Sequence, residues 1–498
     1  MLTIITFLLF ILTTYLIFKG RIFKNTSIPS SYIAIAFALK LLVIVAFVNY
    51  LNSHPEYDLK RDHESYLNDS NVLNSVYHKD PKAYFKLLLG LDNSDETREF
   101  YLINTRLWSN PYLEFNDCRT VIRVHSILDF LAFGNHYLHL LFVNFISIFS
   151  CILLVKAFSK HIQKSTLLFL ILSLGIPTFF IYSGLVLKEY ILIFGIACFL
   201  YAVSTRKLKS IYFWIGLFLL GSVKQYVLAI LLVSLAIYFL FKYTKTTLLK
   251  GFALIGCCAL VLIAFFSPIG TKAVRHISNQ QYAFYRVAKE GIYLHEETKE
   301  RGFYYYLDIK DTSLLKPYKE DFLQLKTDVI ARKHHLSTNK FIDSITLYKD
   351  QIFFIAMIVP KNSGSYVEPY FIHYKKNKLF KHIPDTIFYT FSQPSFSAPG
   401  SKAKYPIVLE TILISIFSIL SFAYALFYHR RIISHPVVIS LLFFILATAF
   451  IVGITTPVIG AMVRYRIPTF LATVIISFIL IDSIWKRKSY SSQEQAQE

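Results

Sequence analysis

The sequence predicts an all-α polytopic membrane protein with roughly eleven transmembrane helices and two large extracytoplasmic segments. The chain has 498 residues, of which 55% are hydrophobic, and apolar stretches of about 20 residues, the length that crosses a bilayer, recur along it. A formal charge of +21 would indicate nucleic acid in a soluble protein, but most cations lie in short segments between the apolar stretches. We therefore interpret these cations as topology signals and expect no nucleic-acid partner.

The predicted spans follow one another along the chain. They cover residues 2–18, 32–50, 136–155, 165–182, 187–203, 211–220, 226–241, 251–266, 407–427, 437–452 and 467–484. The first span has no basic residue before it and no cleavage site of small residues after it. We therefore expect a retained helix rather than a signal peptide.

The spans and the polar segments between them divide the chain into six parts. These are N-terminal transmembrane helices (1–51), a first extracytoplasmic segment with a candidate acidic site (52–133), a central transmembrane bundle (134–266), a large extracytoplasmic cap (267–405), C-terminal transmembrane helices (406–485) and a cytoplasmic tail (486–498). The cap segment is rich in Tyr, Lys and His and is long enough for a small folded unit.

Clusters of Lys and Arg occur at every second turn between predicted spans. Because short cytoplasmic loops are enriched in these residues, we expect every cluster on the cytoplasmic side. The clusters are Lys19/Arg21/Lys24, Lys156/Lys160/Lys164, Arg206/Lys207/Lys209, Lys242/Lys245/Lys250, Arg430/Arg431 and Lys486/Arg487/Lys488. This orientation places the N-terminus and both long polar segments outside, and the C-terminus in the cytoplasm.

Three predicted helix starts on the outer side carry cations: Lys188, Lys224 and the pair Arg464 and Arg466, followed by Pro468. The helix dipole and the cytoplasmic bias of cations both disfavour positive charge there, and snorkelling toward lipid headgroups is the alternative explanation. Helix N-termini with Lys and Arg suit phosphate or pyrophosphate, because they offer free N–H groups and bidentate donors. At the outer edge of a bilayer we expect this anion on a polyprenyl-linked sugar, since nucleotide sugars are confined to the cytoplasm.

Asp62 and Glu64, just after the second predicted span, are the candidate acid/base residues. Either carboxylate could deprotonate an acceptor hydroxyl or hold a divalent ion, and a solvated acidic loop is the alternative. Glu189, beside Lys188, is either a further acid/base group or a structural partner of that lysine. The histidines and cysteines show no metal-ligand spacing, so we assign no metal site.

Four short motifs resemble those of bacterial polysaccharide-assembly membrane proteins. They are Asp62-x-Glu64-x-Tyr66, the stretch SGLVLKE at 183–189, Gln393-Pro394 with Glu410, and Arg464-Tyr465-Arg466-Ile467-Pro468. In these motifs the chain is similar to the Wzy-like polysaccharide polymerases, including the EpsG-type group, and to the related GT-C glycosyltransferases. The EpsG-type pattern commonly has Arg-Gln where this chain has Lys188-Glu189. A GT-C enzyme would place its catalytic carboxylate in the first outer loop, where Asp62 and Glu64 stand.

The resemblance implies a glycosyl-transfer enzyme on the outer face of the bacterial cytoplasmic membrane, and a repeat-unit polymerase is the preferred interpretation. Its substrate would be a polyprenyl-pyrophosphate-linked oligosaccharide. The pyrophosphate would be bound by Arg464, Tyr465 and Arg466, assisted by Lys188 and Lys224. The expected partners are this substrate, the lipid bilayer, and the chain-length regulator and flippase of the same pathway.

Two alternatives stay open from the sequence. The first is a GT-C transferase that adds a single sugar from a polyprenyl-phosphate donor. No cofactor is expected for a polymerase, whereas a divalent metal would favour this transferase. The second is a transporter or flippase of lipid-linked saccharides, which should have repeated halves or broken helices near the midplane of the membrane.

Overall fold

The structure, a computed structural model, describes most of the chain. The described residues are 2–20, 27–54, 58–92, 94–106, 116–244, 256, 266–288, 291–296, 303–307, 313–319, 322–335, 341–359, 367, 372, 376–398, 404–428 and 430–495. The chain divides into two compact units. The first unit contains Met1–Tyr238, Ile414–Ile445 and Ile467–Glu498, and the second contains Phe239–Leu413 and Leu446–Arg466.

The elements described in the N-terminal half are all helices. They are α1 (Leu2–Lys19), α2 (Ser30–Asn52), α3 (Asp58–Lys79), α4 (Pro81–Leu88), α5 (Asp95–Asn104), α6 (Asp117–Ala132), α7 (His136–Phe158), α8 (Ser165–Leu174), α9 (Pro177–Tyr182), α10 (Lys188–Ser204), α11 (Ile211–Val223) and α12 (Gln225–Tyr243).

Side-chain caps fix the starts of two helices that matter for the site. Asn116 accepts a hydrogen bond from the Arg119 N–H at 2.8 Å and begins α6, and Asn135 accepts one from the Tyr137 N–H at 2.9 Å and begins α7. Each cap satisfies a backbone donor that has no partner inside its helix. Between them α6 ends at Ala132, and the next residue, Phe133, has a left-handed φ of 50°, so the chain turns sharply from α6 into α7.

The C-terminal half combines helices with one sheet. Its elements are α13 (Pro268–Ala288), β1 (Gly291–Glu296), β2 (Phe303–Leu307), β3 (Leu315–Lys319), β4 (Phe322–Leu325), β5 (Val329–His335), β6 (Phe341–Leu347), β7 (Ile352–Val359), α14 (Lys376–Lys381), α15 (Ile383–Ser392), α16 (Tyr405–Tyr428), α17 (Arg430–Ile433), α18 (Pro436–Thr455), α19 (Ile459–Tyr465) and α20 (Ile467–Gln495). Helix α20 therefore continues beyond the predicted end of the last span.

The seven strands form an antiparallel sheet in the order β3-β4-β7-β1-β2-β5-β6. In its centre Ile292 of β1 lies opposite Leu307 of β2 on one side and Ile358 of β7 on the other. One set of alternating side chains forms an apolar core. This core contains Ile292, Leu294, Tyr305, Leu307, Leu315, Leu325, Val329, Ala331, Leu347 and Phe353. This sheet lies within the predicted cap segment and is absent from the all-α prediction.

Five helices of the described residues are long and apolar enough to cross a membrane: α2, α7, α12, α16 and α18. The count becomes six if the bent pair α19 and α20 is one span. These helices indicate a membrane-embedded protein, but the predicted number of roughly eleven spans is wrong for the described residues. The run at 165–182 is broken into two short helices before Pro177, α10 has 17 residues and α11 has 13. The predicted span 251–266 lies outside the described residues apart from its positions 256 and 266.

Within the second unit, α13 and α15 pack against the last turns of α18. The side-chain amide of Gln281 donates to the carbonyl of Ile454 at 2.8 Å, and the hydroxyl of Thr390 donates to the carbonyl of Ala449 at 2.7 Å. Gly453 allows this close approach, because a Cβ at that position would lie 2.0 Å from the carbonyl oxygen of Thr386. The two helices are therefore fixed at the C-terminal end of an apolar helix of spanning length.

Candidate functional site

Two of the predicted anion-binding lysines meet at one carboxylate. Lys188 Nζ lies 2.6 Å from Oδ2 of Asp117, and Lys224 Nζ lies 2.9 Å from the same oxygen. The three side chains are mostly buried, with exposed fractions of 13% for Lys188, 15% for Lys224 and 23% for Asp117. The structure thus brings Lys188 and Lys224 together around Asp117, an acidic residue that is not among the predicted site residues.

These contacts bring three helix starts within side-chain reach of each other. Asp117 is the first residue of α6, Lys188 is the first residue of α10, and Lys224 immediately precedes α12. The N-terminus of a helix carries unpaired N–H groups and about half a positive charge. Two ammonium groups facing a single carboxylate leave an excess of positive charge at this place.

Electrostatics keep the carboxylate of Asp117 ionised. Burial by itself would raise its pKa, but the charges and hydrogen bonds of Lys188 and Lys224 outweigh burial and hold the pKa well below its usual range. Two positive charges close to a carboxyl group favour its ionised form. Asp117 is therefore the resident anion of the cluster formed by Lys188, Lys224 and Asp117, which we call the lysine cluster.

The motif from Asp62 to Tyr66 lies on α3, beside the lysine cluster. The hydroxyl of Tyr66 donates to Sγ of Cys118, the neighbour of Asp117, at 3.4 Å. Burial raises the pKa of both the Tyr66 hydroxyl and the Cys118 thiol. Asp62 precedes Tyr66 by four residues and shares its helix face, whereas Glu64 lies on a different face. Both carboxylate residues are half-buried, and Asp62 is the better placed of the two.

Three side chains hold the turn that leads into α10. Lys40 donates to the hydroxyl of Ser183 at 2.8 Å, and the side-chain amide of Asn144 donates to the carbonyl of Gly184 at 3.1 Å. The N–H of Val186 donates to Nδ1 of His63 at 2.9 Å. The turn is therefore fixed from α2, α7 and α3, and the start of α10 has a defined position.

A row of buried side chains runs beside the cluster. Tyr190 Oη lies 2.9 Å from Nε2 of His125, the Nδ1 atoms of His125 and His139 lie 2.9 Å apart, and Nε2 of His139 lies 3.2 Å from Oδ1 of Asp129. A carboxylate only accepts hydrogen bonds, so with neutral rings His139 donates to Asp129, His125 to His139 and Tyr190 to His125. With this single direction of donation, each of these buried polar atoms has a hydrogen-bond partner.

Glu189 is the second residue of α10 and is buried, with 3% of its surface exposed. The sequence left open whether it pairs with Lys188, and the ion pair seen for that lysine is with Asp117. An acidic residue in the first turn of a helix is favoured by the dipole in any case. The proposed acid/base role of Glu189 stays a prediction.

The two arginines of the C-terminal motif belong to the second unit, so the structure describes them separately from the lysine cluster. Arg466 is fully buried, and its guanidinium donates to the carbonyls of Thr390, at 2.9 Å, and Gln393, and to the hydroxyl of Thr411, at 2.7 Å. It thereby satisfies carbonyls at the C-terminal end of α15. Its binding to pyrophosphate stays a prediction.

Arg464 has a different environment from the one predicted. The sequence placed it at the positive end of the last helix, but it lies in the last turn of α19, where the dipole favours a cation. Helix α19 ends just before Arg466 and helix α20 begins just after it. A hydropathy profile alone does not reveal this boundary. Arg464 and Tyr465 are half-buried, and the Tyr465 ring packs edge-on against Phe284 with the ring centroids 6.1 Å apart.

Among the described residues no group of three or more His, Cys, Asp or Glu side chains could hold a metal ion. Sequence reasoning missed Asp117, which lies 71 and 107 positions from its two partners. Its one local signal is Asn116, an N-cap residue that places Asp117 at a helix start. No known protein family matches the chain, and neither do curated proteins or solved structures.

Proposed function

We propose that this chain is a membrane glycosyl-transfer enzyme that polymerises polyprenyl-pyrophosphate-linked oligosaccharide repeat units into surface polysaccharide. The observation that carries the proposal is the lysine cluster, in which two lysines and three helix starts surround one carboxylate. Such a place favours a multiply charged phosphate group. The apolar helices indicate a membrane-embedded protein, and a polyprenyl chain dissolves in the membrane. The four sequence motifs indicate the class of reaction.

In the proposed reaction a hydroxyl of the acceptor saccharide attacks the anomeric carbon of the donor. The bond between this carbon and the pyrophosphate oxygen breaks, and polyprenyl pyrophosphate leaves with the bonding electrons. Lys188 and Lys224 stabilise the negative charge that develops on the leaving group. Asp62 accepts the proton of the attacking hydroxyl.

The remaining predicted residues take supporting roles in this proposal. Arg464 and Tyr465 are half-buried in the second unit, where they are predicted to bind phosphate, and Arg466 positions the segment that carries them. The distribution of basic clusters places the reaction on the extracytoplasmic face, with the N-terminus outside and the C-terminus in the cytoplasm.

Transport of lipid-linked saccharides is the second candidate. Broken apolar helices are typical of transporters, and two such breaks lie within the described residues, between α8 and α9 and between α19 and α20. A transporter would also need a charged site for the pyrophosphate. The two functions differ in the product that accumulates when the protein is removed.

The test is the chain length of surface polysaccharide, read by gel banding in cells that lack the protein. Long chains should vanish while single repeat units persist, and wild-type protein should restore the long chains. K188A/K224A should fail to restore them at equal membrane abundance. The matched control K207A/K209A removes two exposed lysines and should restore them fully.

Three other outcomes would contradict the proposal. Long chains altered by one sugar indicate a single-sugar transferase, and repeat units trapped on the cytoplasmic face indicate a transporter. Unchanged long chains in cells without the protein exclude all three functions.

A further inference from the structure

Helices α13 and α14 carry cations but no acidic residue. The sequence of α13 contains Lys272, Arg275, His276 and Arg286, and the six residues of α14 contain Lys376, Lys378 and Lys381. Neither helix has an Asp or Glu. The two helices pack together through Leu379 of α14, which joins Val274 and Ile277 of α13 in one apolar cluster.

The cations of α13 lie on one face of the helix. At 100° per residue Lys272, Arg275 and His276 share a face, and Val274, Ile277 and Gln281 share the opposite face. The first three are exposed and the second three are buried. The α13 helix therefore has one packed face and one basic face.

The exposed cations of these two helices have no ion-pair partner within the part of the chain that the structure describes. Lys272, Arg275 and Lys381 are exposed, and none of them forms an ion pair with a carboxylate among the described residues. Placing several cations together costs energy through like-charge repulsion. An external anion would remove that cost.

The position of the basic face indicates what the anion is. Ile277 packs in one apolar cluster with Ile454, which lies in the last turn of α18. The side-chain amide of Gln281 donates to the backbone carbonyl of the same Ile454. Because α18 is long and apolar enough to cross a membrane, the helix packed at its end lies at the level where hydrocarbon gives way to headgroups.

Exposed aromatic rings accompany the cations. Phe266, Phe380 and Phe388 have exposed fractions of 69%, 44% and 66%. Phe388 belongs to α15, which is fixed to the same end of α18, and the Nζ of Lys376 lies 5.9 Å from the ring of Phe266. Large apolar side chains combined with a basic polar face are typical of helices that lie in a membrane interface, whereas a soluble acidic partner would not require exposed phenylalanines.

We propose that α13 and α14 form a site for the phosphate of anionic lipid headgroups, bound by Lys272, Arg275 and Lys381, with the three phenylalanine rings in the interface. Each such cation contributes about 1 kcal/mol at an anionic surface, which is about a fivefold change in affinity. This site does not depend on the proposed glycosyl transfer. It would anchor the second unit to the membrane surface.

The test compares the purified full chain in phosphatidylcholine nanodiscs with and without phosphatidylglycerol, read as the midpoint temperature of unfolding. Phosphatidylglycerol should raise the midpoint of the wild type and have little effect on K272E/R275E. The control K326E/K349E reverses two exposed lysines of the sheet segment and should keep the full response. K272Q/R275Q, which removes charge without reversing it, should respond only weakly.

Inorganic phosphate at a matched concentration separates the two sources of the anion. It should leave the midpoint of the wild type unchanged, because the rings and the packed helix face position the cations for a headgroup. An equal rise with free phosphate would overturn the lipid assignment. A full lipid response in both K272E/R275E and K272Q/R275Q would overturn the site itself.

Discussion

The ammonium group of Lys188 lies 2.6 Å from a carboxylate oxygen of Asp117, a residue 71 positions earlier in the chain. Lys224 contacts the same oxygen. Asp117 thus occupies the position where the sequence predicts an external anion. Two consequences follow: the carboxylate stabilises the fold, and a phosphate of higher charge can compete with it for the lysines.

The first prediction concerns the carboxylate. D117N should lower the free energy of unfolding by about 2 kcal/mol, because two mostly buried lysines lose a charged partner. The midpoint temperature of unfolding in detergent measures this loss. D385N, which changes a half-exposed carboxylate with one weak contact at 3.8 Å, should have an effect below about 0.5 kcal/mol. Equal losses in the two variants would mean that the ion pairs do not stabilise the fold.

The pH dependence of D117N follows from the sign of the shift. The pKa of Asp117 is lowered in the folded state, so its contribution is present above the unfolded pKa of about 3.9 and is lost only as the pH falls through the folded pKa. The difference between D117N and the wild type should therefore stay constant from about pH 8 to about pH 5.

The second prediction concerns buried histidines outside the apolar spans. Burial, and then the neighbouring His136, lower the pKa of His63 to about 3, and burial lowers the pKa of His125 well below its ordinary value. The unfolded chain therefore takes up protons first as the pH falls below about 6.5, and each histidine removes up to about 1.4 kcal/mol of stability per pH unit.

A pH series of unfolding midpoints tests this prediction. The midpoint of the wild type should be flat above about pH 7 and fall below about pH 6. H63N keeps an acceptor for the Val186 N–H but has no titrating ring, so its midpoint should fall less steeply. Identical slopes for H63N and the wild type would show that His63 is not the source of the acid sensitivity.

The third prediction separates the two arginines of the C-terminal motif. R466A leaves the carbonyls of Thr390 and Gln393 without their buried donor, so we expect a loss of about 3 kcal/mol and a lower yield of folded protein. R464A changes a half-buried residue and should leave the yield near that of the wild type while reducing activity. Size-exclusion profiles of the purified variants measure the folded fraction. Equal profiles for R466A and R464A would contradict this division of roles.

The fourth prediction uses two glycines. G453A places a methyl group 2.0 Å from the carbonyl oxygen of Thr386, so the contact between α15 and α18 must open at a cost of about 1–3 kcal/mol. G460A adds the same atom in α19, where nothing lies within 4 Å, and should be neutral or slightly stabilising. Unfolding midpoints that do not differ between the two variants would show that this helix contact is not tight.

Hydropathy predicted the helices of spanning length but not the breaks within apolar runs. The run 165–182 contains no charged residue, yet Pro177 begins a new helix, because proline is tolerated only in a first turn. The sheet was missed for a related reason. Its strands have 4–8 residues, which is too short to register in a search for spans.

The site was predictable in part. Cations at helix starts identified Lys188 and Lys224, since both positions oppose the dipole. Their partner Asp117 was not predictable, because a contact across 71 or 107 positions has no local sequence signal. The environment of Arg464 depends on where α19 ends, and helix boundaries are the least reliable part of sequence interpretation.

Binding of polyprenyl pyrophosphate to the purified protein in nanodiscs tests whether the lysine cluster is the pyrophosphate site. K188A/K224A should bind at least about tenfold more weakly than the wild type, because one charge-assisted hydrogen bond contributes about 1.5–3 kcal/mol. The matched variant K207A/K209A should bind as the wild type does. Equal affinity of K188A/K224A and the wild type, with both proteins folded, would contradict the assignment of the lysine cluster as the pyrophosphate site.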